Sequence, residues 1–168
     1  MKSIKSAGLI GLALFALALS GCGSGGGSAA QPTAAVLKLS TSGTLPSGTA
    51  LSGIHVEVDL PSGVTVNTDN SGGVASGVVT PSGVASQCSI AAETFTPASG
   101  GTPAKLSFFV LSSAPGFGAG EFATVNCKIT TGTPKATDFS LPEAEFNPAD
   151  LSNQPVAALT PSFTADIR

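Results

Sequence analysis

The chain has 168 residues, which is enough for one ordinary domain and leaves little room for two. It lacks Trp and Tyr, only 10% of its residues are charged, and Gly and Pro are frequent, so short strands joined by turns are favoured over long amphipathic helices. The positive mean hydropathy and the small net charge of -3 argue against intrinsic disorder, and the shortage of basic residues argues against a nucleic-acid partner.

The N-terminal residues have the pattern of an export signal. Lys2 and Lys5 form a short positive segment, and residues 7–19 that follow are uncharged and largely apolar. About thirteen residues are too few to span a bilayer comfortably, and this length is typical of the apolar region of a signal peptide.

The four residues Leu19-Ser20-Gly21-Cys22 resemble the bacterial lipobox. The resemblance implies that residues 1–21 are a lipoprotein signal peptide, that cleavage precedes Cys22, and that Cys22 carries diacylglycerol on sulfur and a further fatty acid, such as palmitate, on its amino group. Gly23 stands where an inner-membrane retention signal usually has Asp, which favours the outer membrane, with the domain in the periplasm or at the surface. The alternative is an ordinary secreted protein with a stray cysteine.

Residues 22–33 are rich in Gly and Ser and predict a flexible tether between the lipid and a domain at 34–168. Removing the signal peptide leaves five basic residues against ten acidic ones. Anionic lipid headgroups would repel such a domain, so the lipid on Cys22 is expected to supply the membrane attachment.

Apolar periodicity predicts a chain of short strands. The clearest lies at 53–60, where Ile54, Val56, Val58 and Leu60 alternate with polar residues, as in a strand buried on one face. Pro-Ser-Gly recurs at 46, 61 and 81 with unequal spacing, which indicates turns and not a repeat. The full set of predicted strands is 35–39, 53–60, 64–66, 74–80, 84–90, 105–112, 122–130, 143–146 and 162–167.

Eight or nine strands without a convincing helix predict an all-β, antiparallel β-sandwich. Alternation within two of these strands predicts which side chains enter the core. One set is on the strand at 105–112 and the other is on the strand at 122–130: Leu106, Phe108 and Val110; Ala123, Val125, Cys127 and Ile129.

Several segments resemble a cohesin domain. They are the strand and turn at 53–66, the glycine turn and strand at 118–129, and the closing region at 139–154 followed by a last strand. The resemblance implies a jelly-roll-like sandwich and a role in protein recognition. Cys127 stands where cohesins usually have a large apolar residue, and the turn near Asn153 lacks their acidic-glycine character, so no dockerin-contact residue is assigned. Carbohydrate-binding modules share this architecture, and the fold alone does not select a ligand.

Cys88 and Cys127 are left for the domain once Cys22 is lipidated. In an oxidising compartment two cysteines predict one disulfide, which would close a loop of about forty residues and stabilise the fold by roughly 4 kcal/mol. The alternative is two separate buried thiols.

No residue pattern indicates an enzyme, a metal or another cofactor. His55 is the sole histidine and is expected to face solvent on its strand, and no G-x-S-x-G sequence occurs. Glu143 and Glu145 are expected to share one strand face, as a solvated edge in preference to a catalytic pair. Residues 69–72 are expected to form a tight turn in preference to a calcium loop.

The sequence therefore predicts a non-enzymatic interaction module in the cell envelope, held by the lipid on Cys22 and binding a protein partner. A carbohydrate-binding module and a passive structural lipoprotein are the alternatives. Polysaccharide binding usually needs an exposed Trp or Tyr, and here Phe117, in a glycine-rich loop, is the one aromatic residue expected to be presented.

Overall fold

The computed structural model describes residues 30–168. The predicted signal peptide, Cys22 and most of the predicted tether therefore lie outside the described residues. The strands are β1 (Ala34–Gly43), β2 (Leu51–Leu60), β3 (Val64–Thr65), β4 (Val79–Pro81), β5 (Ser89–Thr96), β6 (Ala104–Leu111), β7 (Glu121–Ile129), β8 (Asn147–Asp150) and β9 (Leu159–Ile167). Three short 3₁₀ turns span Gly83–Ala85, Ala136–Asp138 and Glu143–Glu145.

The strands form two antiparallel sheets. One has the order β3-β7-β1-β9, with β4 also paired to β7, and the other has the order β5-β6-β2-β8. A single cluster of buried apolar side chains draws on both sheets. The predicted all-β antiparallel sandwich is confirmed, and the jelly-roll connectivity stays a prediction.

Alternation along the strands explains why the sheets pack together. On β2, Ile54, Val56, Val58 and Leu60 are buried, whereas the polar residues between them are half-buried on the other face. The two core faces predicted on β6 and β7 are also confirmed. Their buried members are Leu106, Phe108, Val110, Ala123, Val125, Cys127 and Ile129.

The predicted strand at 84–90 is wrong for most of its length. The chain instead forms the 3₁₀ turn Gly83–Ala85 and begins β5 at Ser89, so β5 continues to Thr96 through residues that no strand was predicted to include. Gly83 has a φ of +53°, and a Cβ there would collide with the backbone of Glu121. This close approach turns the chain off β4 and towards the second sheet.

The predicted strand at 143–146 is also wrong, because Glu143–Glu145 form a 3₁₀ turn. Pro142 presets the backbone with a φ of −61°, and the amides of Glu145 and Phe146 donate to the carbonyls of Pro142 and Glu143. The strand follows as β8. The prediction at 74–80 was too long, since only its last two residues belong to β4.

The three Pro-Ser-Gly sequences are turns, as predicted. Gly48, Gly63 and Gly83 all have positive φ, at +77°, +81° and +53°. Glycine adopts this backbone region without the steric cost that a Cβ would add.

Candidate functional site

Cys88 and Cys127 are free thiols, so the predicted disulfide is absent from the structure. Strand register gives the reason. Cys88 follows the 3₁₀ turn that packs against Glu121 at the start of β7, whereas Cys127 lies near the other end of β7, six residues along the strand. The amide of Cys88 donates to the Ala85 carbonyl, so Cys88 stays next to this turn. Cys127 is six residues, about 20 Å, along the strand from Glu121, whereas a disulfide spans a Cα separation of at most about 7 Å.

The Cys127 thiol is also buried and poorly suited to react. Its side chain belongs to the core, and this burial raises the pKa of the thiol to about 12. A thiol is a poor nucleophile and a poor metal ligand without its thiolate form, so Cys127 acts as a small apolar core residue.

The predicted tight turn at 69–72 is present. Oδ1 of Asp69 accepts hydrogen bonds from the Oγ and amide of Ser71 and from the amide of Gly73, at 2.7, 2.8 and 2.9 Å. These hydrogen bonds hold the pKa of the Asp69 carboxyl below its ordinary value, and the bond from the Ser71 hydroxyl contributes most. Within residues 30–168, no three His, Cys, Asp or Glu side chains are grouped as metal ligands.

Two expected surface features are corrected. Glu143 and Glu145 lie in a 3₁₀ turn, so the strand face that they were expected to share does not exist. Phe117 is 6% exposed and is not presented to solvent. Its amide and carbonyl both hydrogen-bond to Leu51, and this bridge folds the glycine-rich loop back onto the start of β2.

The aromatic group that does reach the surface lies on the solvent-facing side of the sheet β5-β6-β2-β8, which we call the outer face. Phe109 of β6 pairs with His55 of β2, and their ring centroids are 4.6 Å apart at a tilt of 36°. The Nε2 atom of His55 is 3.0 Å from Oγ of Ser107. Phe109 is 36% exposed and its neighbour on the same face, Leu111, is 42% exposed.

A hollow of about 290 Å³ adjoins this pair. Its lining combines apolar and polar groups, including Gly53, His55, Phe109, Leu111 and Asn147. A Cβ on Gly53 would lie 3.1 Å from Cδ2 of Leu111, so the missing side chain leaves room for Leu111 to lie against β2.

A second hollow, of about 210 Å³, lies beside β8. It shares Asn147, Ala149 and Asn153 with the first, so the two together border the short strand β8. Asn153 adopts a φ of +58°, in a turn where the Asp150 carboxylate accepts from the amides of Ser152 and Gln154.

The opposite end of the outer face is charged. Nζ of Lys105 hydrogen-bonds the Glu57 carboxylate and lies 3.7 Å from Oδ1 of Asp59. The hydrogen bond that Lys105 donates to Glu57 is the main cause that raises the pKa of Lys105. Oγ of Ser140 donates to the other Asp59 oxygen at 3.1 Å. Two carboxylates around one ammonium leave this end acidic.

The alternation predicted for the strand at 105–112 already indicated that Phe109 and Leu111 are exposed. If Leu106, Phe108 and Val110 face the core, then 107, 109 and 111 face outward, and apolar residues occupy two of those three positions. Only the register between β2 and β6 shows that His55 and Gly53 stand opposite them.

No helix within residues 30–168 is long and apolar enough to cross a bilayer. Comparison with protein-family models, with curated proteins and with solved structures found no match to this chain.

Proposed function

We propose that this protein is a lipid-anchored envelope protein whose domain is a non-catalytic protein-interaction module. The observation that carries the proposal is the outer face, where the exposed apolar side chains of Phe109 and Leu111 lie beside the half-buried ring of His55. The lipobox at 19–22 supplies the expectation of an anchor.

The composition of the outer face suits a protein partner. Exposed aromatic and aliphatic side chains surrounded by polar groups are typical of interaction surfaces, in which the apolar centre is desolvated and the polar rim fixes orientation. Here the hollow beside Phe109 would accept an apolar side chain. Asn147 lies at the border of this hollow, and Ser107 lies beside His55.

The charged end of the face adds a requirement on the partner. Glu57 and Asp59 outnumber Lys105, so a partner with a basic side chain at this end would be favoured. A cohesin-like mode of recognition, through a sheet face, is our preferred form of this proposal, and the two-sheet architecture is compatible with it.

Carbohydrate binding is a second candidate, because Phe109 is an exposed ring beside a hollow that contains an amide side chain, that of Asn147. Stacking on a sugar would use the ring face, and Asn147 would bond a hydroxyl. The ring lacks a polar edge of its own, and His55 beside it supplies one.

A pull-down from the native envelope tests the proposal. Residues 30–168, which contain both sheets and the whole described core, serve as bait in wild-type form and as Phe109→Ser. Val84→Ser is the matched control, since Val84 is 46% exposed but lies in the 3₁₀ turn, off the outer face. Val56→Asp, which places a charge in the core, is the unfolded control.

A protein recovered by wild type and by Val84→Ser, and lost with Phe109→Ser, would support the module. Recovery of polysaccharide with the same pattern would indicate that the outer face binds carbohydrate and not protein. If nothing exceeds the Val56→Asp background, or if Phe109→Ser recovers as much as wild type, the face does not bind and a passive structural role is the better description.

The anchor is tested separately in the full chain. Wild type expressed in a bacterial host is expected to incorporate radiolabelled palmitate and to sediment with membranes, because the lipid on Cys22 holds it there. Cys22→Ala is expected to lose the label and to leave the membrane fraction or retain its signal peptide. Equal labelling of both forms would rule out Cys22 as the lipidation site.

A further inference from the structure

The open edges of the two sheets differ in how well they could accept another strand. β3 and β4, which share one edge, have two and three residues, and β8 has four residues including Pro148. β5 is longer but is interrupted by a bulge at Ala92, which has a φ of +50°. Short strands, prolines and bulges are the devices that prevent edge pairing in natural sheets.

The edge strand β9 lacks these interruptions over most of its length. It spans nine residues and pairs with β1 in continuous register from Leu159 to Ile167. Its one proline, Pro161, lies near the start, so the segment 162–167 is a regular strand that is paired on one side only. The 3₁₀ turn Ala136–Asp138 packs close to β9 but makes no backbone hydrogen bond with it.

Hydrogen-bond parity identifies which backbone groups point to the open side. Ala34 and Arg168 exchange two hydrogen bonds, of 3.0 and 2.8 Å, so they are a bonded pair of the antiparallel ladder. Bonded residues alternate with unbonded ones. The amides and carbonyls of Phe163, Ala165 and Ile167 therefore point away from β1, and within residues 30–168 their amides have no backbone partner outside the sheet.

The side chains of the same three residues face the core but are incompletely covered. Phe163, Ala165 and Ile167 pack against the buried cluster and are only half-buried, whereas Leu37 and Leu39, opposite two of them on β1, are fully buried. An added strand would satisfy the free backbone groups and cover this apolar row together.

We propose that the strand that completes this edge is β9 of a second copy of this chain, in antiparallel register about a two-fold axis at Ala165. In this register Phe163 lies opposite Ile167 of the partner subunit, and Ala165 lies opposite Ala165 of the partner subunit. Each large side chain then meets another, small side chains meet at the axis, and six backbone hydrogen bonds form.

The same register explains two further features of β9. Pro161 falls outside the paired segment, so its missing amide costs no hydrogen bond. On the solvent side, Asp166 lies opposite Thr164 of the partner subunit, so no like charges face each other directly, and each Asp166 keeps its ion pair with Arg168. The dimer would join two five-stranded sheets and leave the outer face of the other sheet free.

Sedimentation equilibrium of residues 30–168 tests the dimer, with Ala165→Pro as the decisive variant. The Ala165 amide points away from β1, so proline there leaves the β1–β9 ladder intact, and an unchanged melting temperature confirms that the variant is folded. Loss of the two central hydrogen bonds is expected to weaken dimerisation by about thirtyfold. A wild type that stays monomeric up to about 1 mM, or a folded Ala165→Pro that dimerises as well as wild type, would overturn the proposal.

Oxidative cross-linking tests the register. In a Cys88→Ser background, Ala165→Cys places two thiols across the axis, about 5.5 Å apart between Cα atoms, and is expected to form a disulfide dimer. Ser162→Cys is the matched control, because its two copies would be about 20 Å apart. Cross-linking of Ser162→Cys in preference to Ala165→Cys would contradict this register.

Discussion

At the scale of single residues, Glu93 is a carboxyl group that is poorly matched to its surroundings. It follows the bulge at Ala92 on edge strand β5, and its Oε1 atom is buried with no hydrogen-bond partner in the described part of the chain. Desolvation raises the pKa of this carboxyl above 4.5, its ordinary value. An inward-directed charge on an edge strand opposes pairing with another strand, which gives Glu93 a structural role despite its cost.

Glu93→Gln is expected to stabilise the fold at neutral pH. The raised pKa means that folding favours the protonated form, so this contribution is present at low pH and is lost as the pH rises from about 4.5 through the raised pKa. Because the side chain is partly exposed, we expect the melting temperature at pH 7 to rise by only about 1 to 3 °C.

Thermal melts at pH 4 and pH 7 measure this difference, with the exposed residue Glu143, changed to Gln, as control. The two proteins, wild type and Glu93→Gln, should converge in stability at the lower pH. A Glu93→Gln protein that is less stable than wild type at pH 7 would show that the buried oxygen is well solvated after all.

At the scale of the elements, the turns differ in how closely the chain passes its neighbours. Gly48 and Gly63 end two Pro-Ser-Gly turns with almost the same φ, yet a Cβ on Gly48 would meet nothing within 4 Å, whereas one on Gly63 would collide with the backbone of Thr131. The Gly63 carbonyl also accepts from the amide of Thr130 at 2.7 Å, which ties the turn before β3 to the end of β7.

Gly63→Ala is therefore expected to cost more than Gly48→Ala. Gly48→Ala adds only the strain of an alanine in the left-handed region, about 1 kcal/mol. Gly63→Ala adds to this strain a collision with the backbone of Thr131, for a total loss of about 3 kcal/mol in the free energy of unfolding. Urea denaturation measures both, and equal losses would mean that the Gly63 turn relaxes away from Thr131.

At the scale of the whole molecule, the crossing of the chain between sheets separates the two cysteines. Cys127 lies on β7 near one end of the sandwich, and Cys88 lies just after the 3₁₀ turn that follows β4, near the other end. Stability of residues 30–168 therefore comes from packing between the sheets, without a covalent link between these residues.

Reducing agent is expected to leave the melting temperature of residues 30–168 unchanged, since no disulfide is broken. In the native protein, iodoacetamide should react with Cys88, which is half-buried, and should leave Cys127 unmodified until denaturant is added, because burial of Cys127 raises the pKa of its thiol. Mass spectrometry after digestion locates the label. A lower melting temperature in dithiothreitol would indicate a disulfide.

Much of the fold was predictable because buried residues alternate with more exposed ones over most of β2, β6 and β7. Val56, Phe108 and Val125 each sit at the centre of an alternating run, and all three are buried. The failures at 84–90 and 143–146 have different causes. At 84–90 the chain turns at Gly83, which passes close to the backbone of Glu121, and local composition does not contain such a contact. At 143–146 the preset φ of Pro142 begins a 3₁₀ turn, and this signal is present in the sequence.

The sequence by itself determined the all-β class, the core faces of β2, β6 and β7, and the expectation of an export signal and lipidated Cys22, since each depends on local periodicity or on a contiguous motif. Only the tertiary structure decided that Phe117 is buried while Phe109 is exposed, that Cys88 and Cys127 are apart, and that β9 is an open edge. The physical reason is that exposure, disulfide reach and edge position depend on strand register and sheet order, which join residues far apart in the chain.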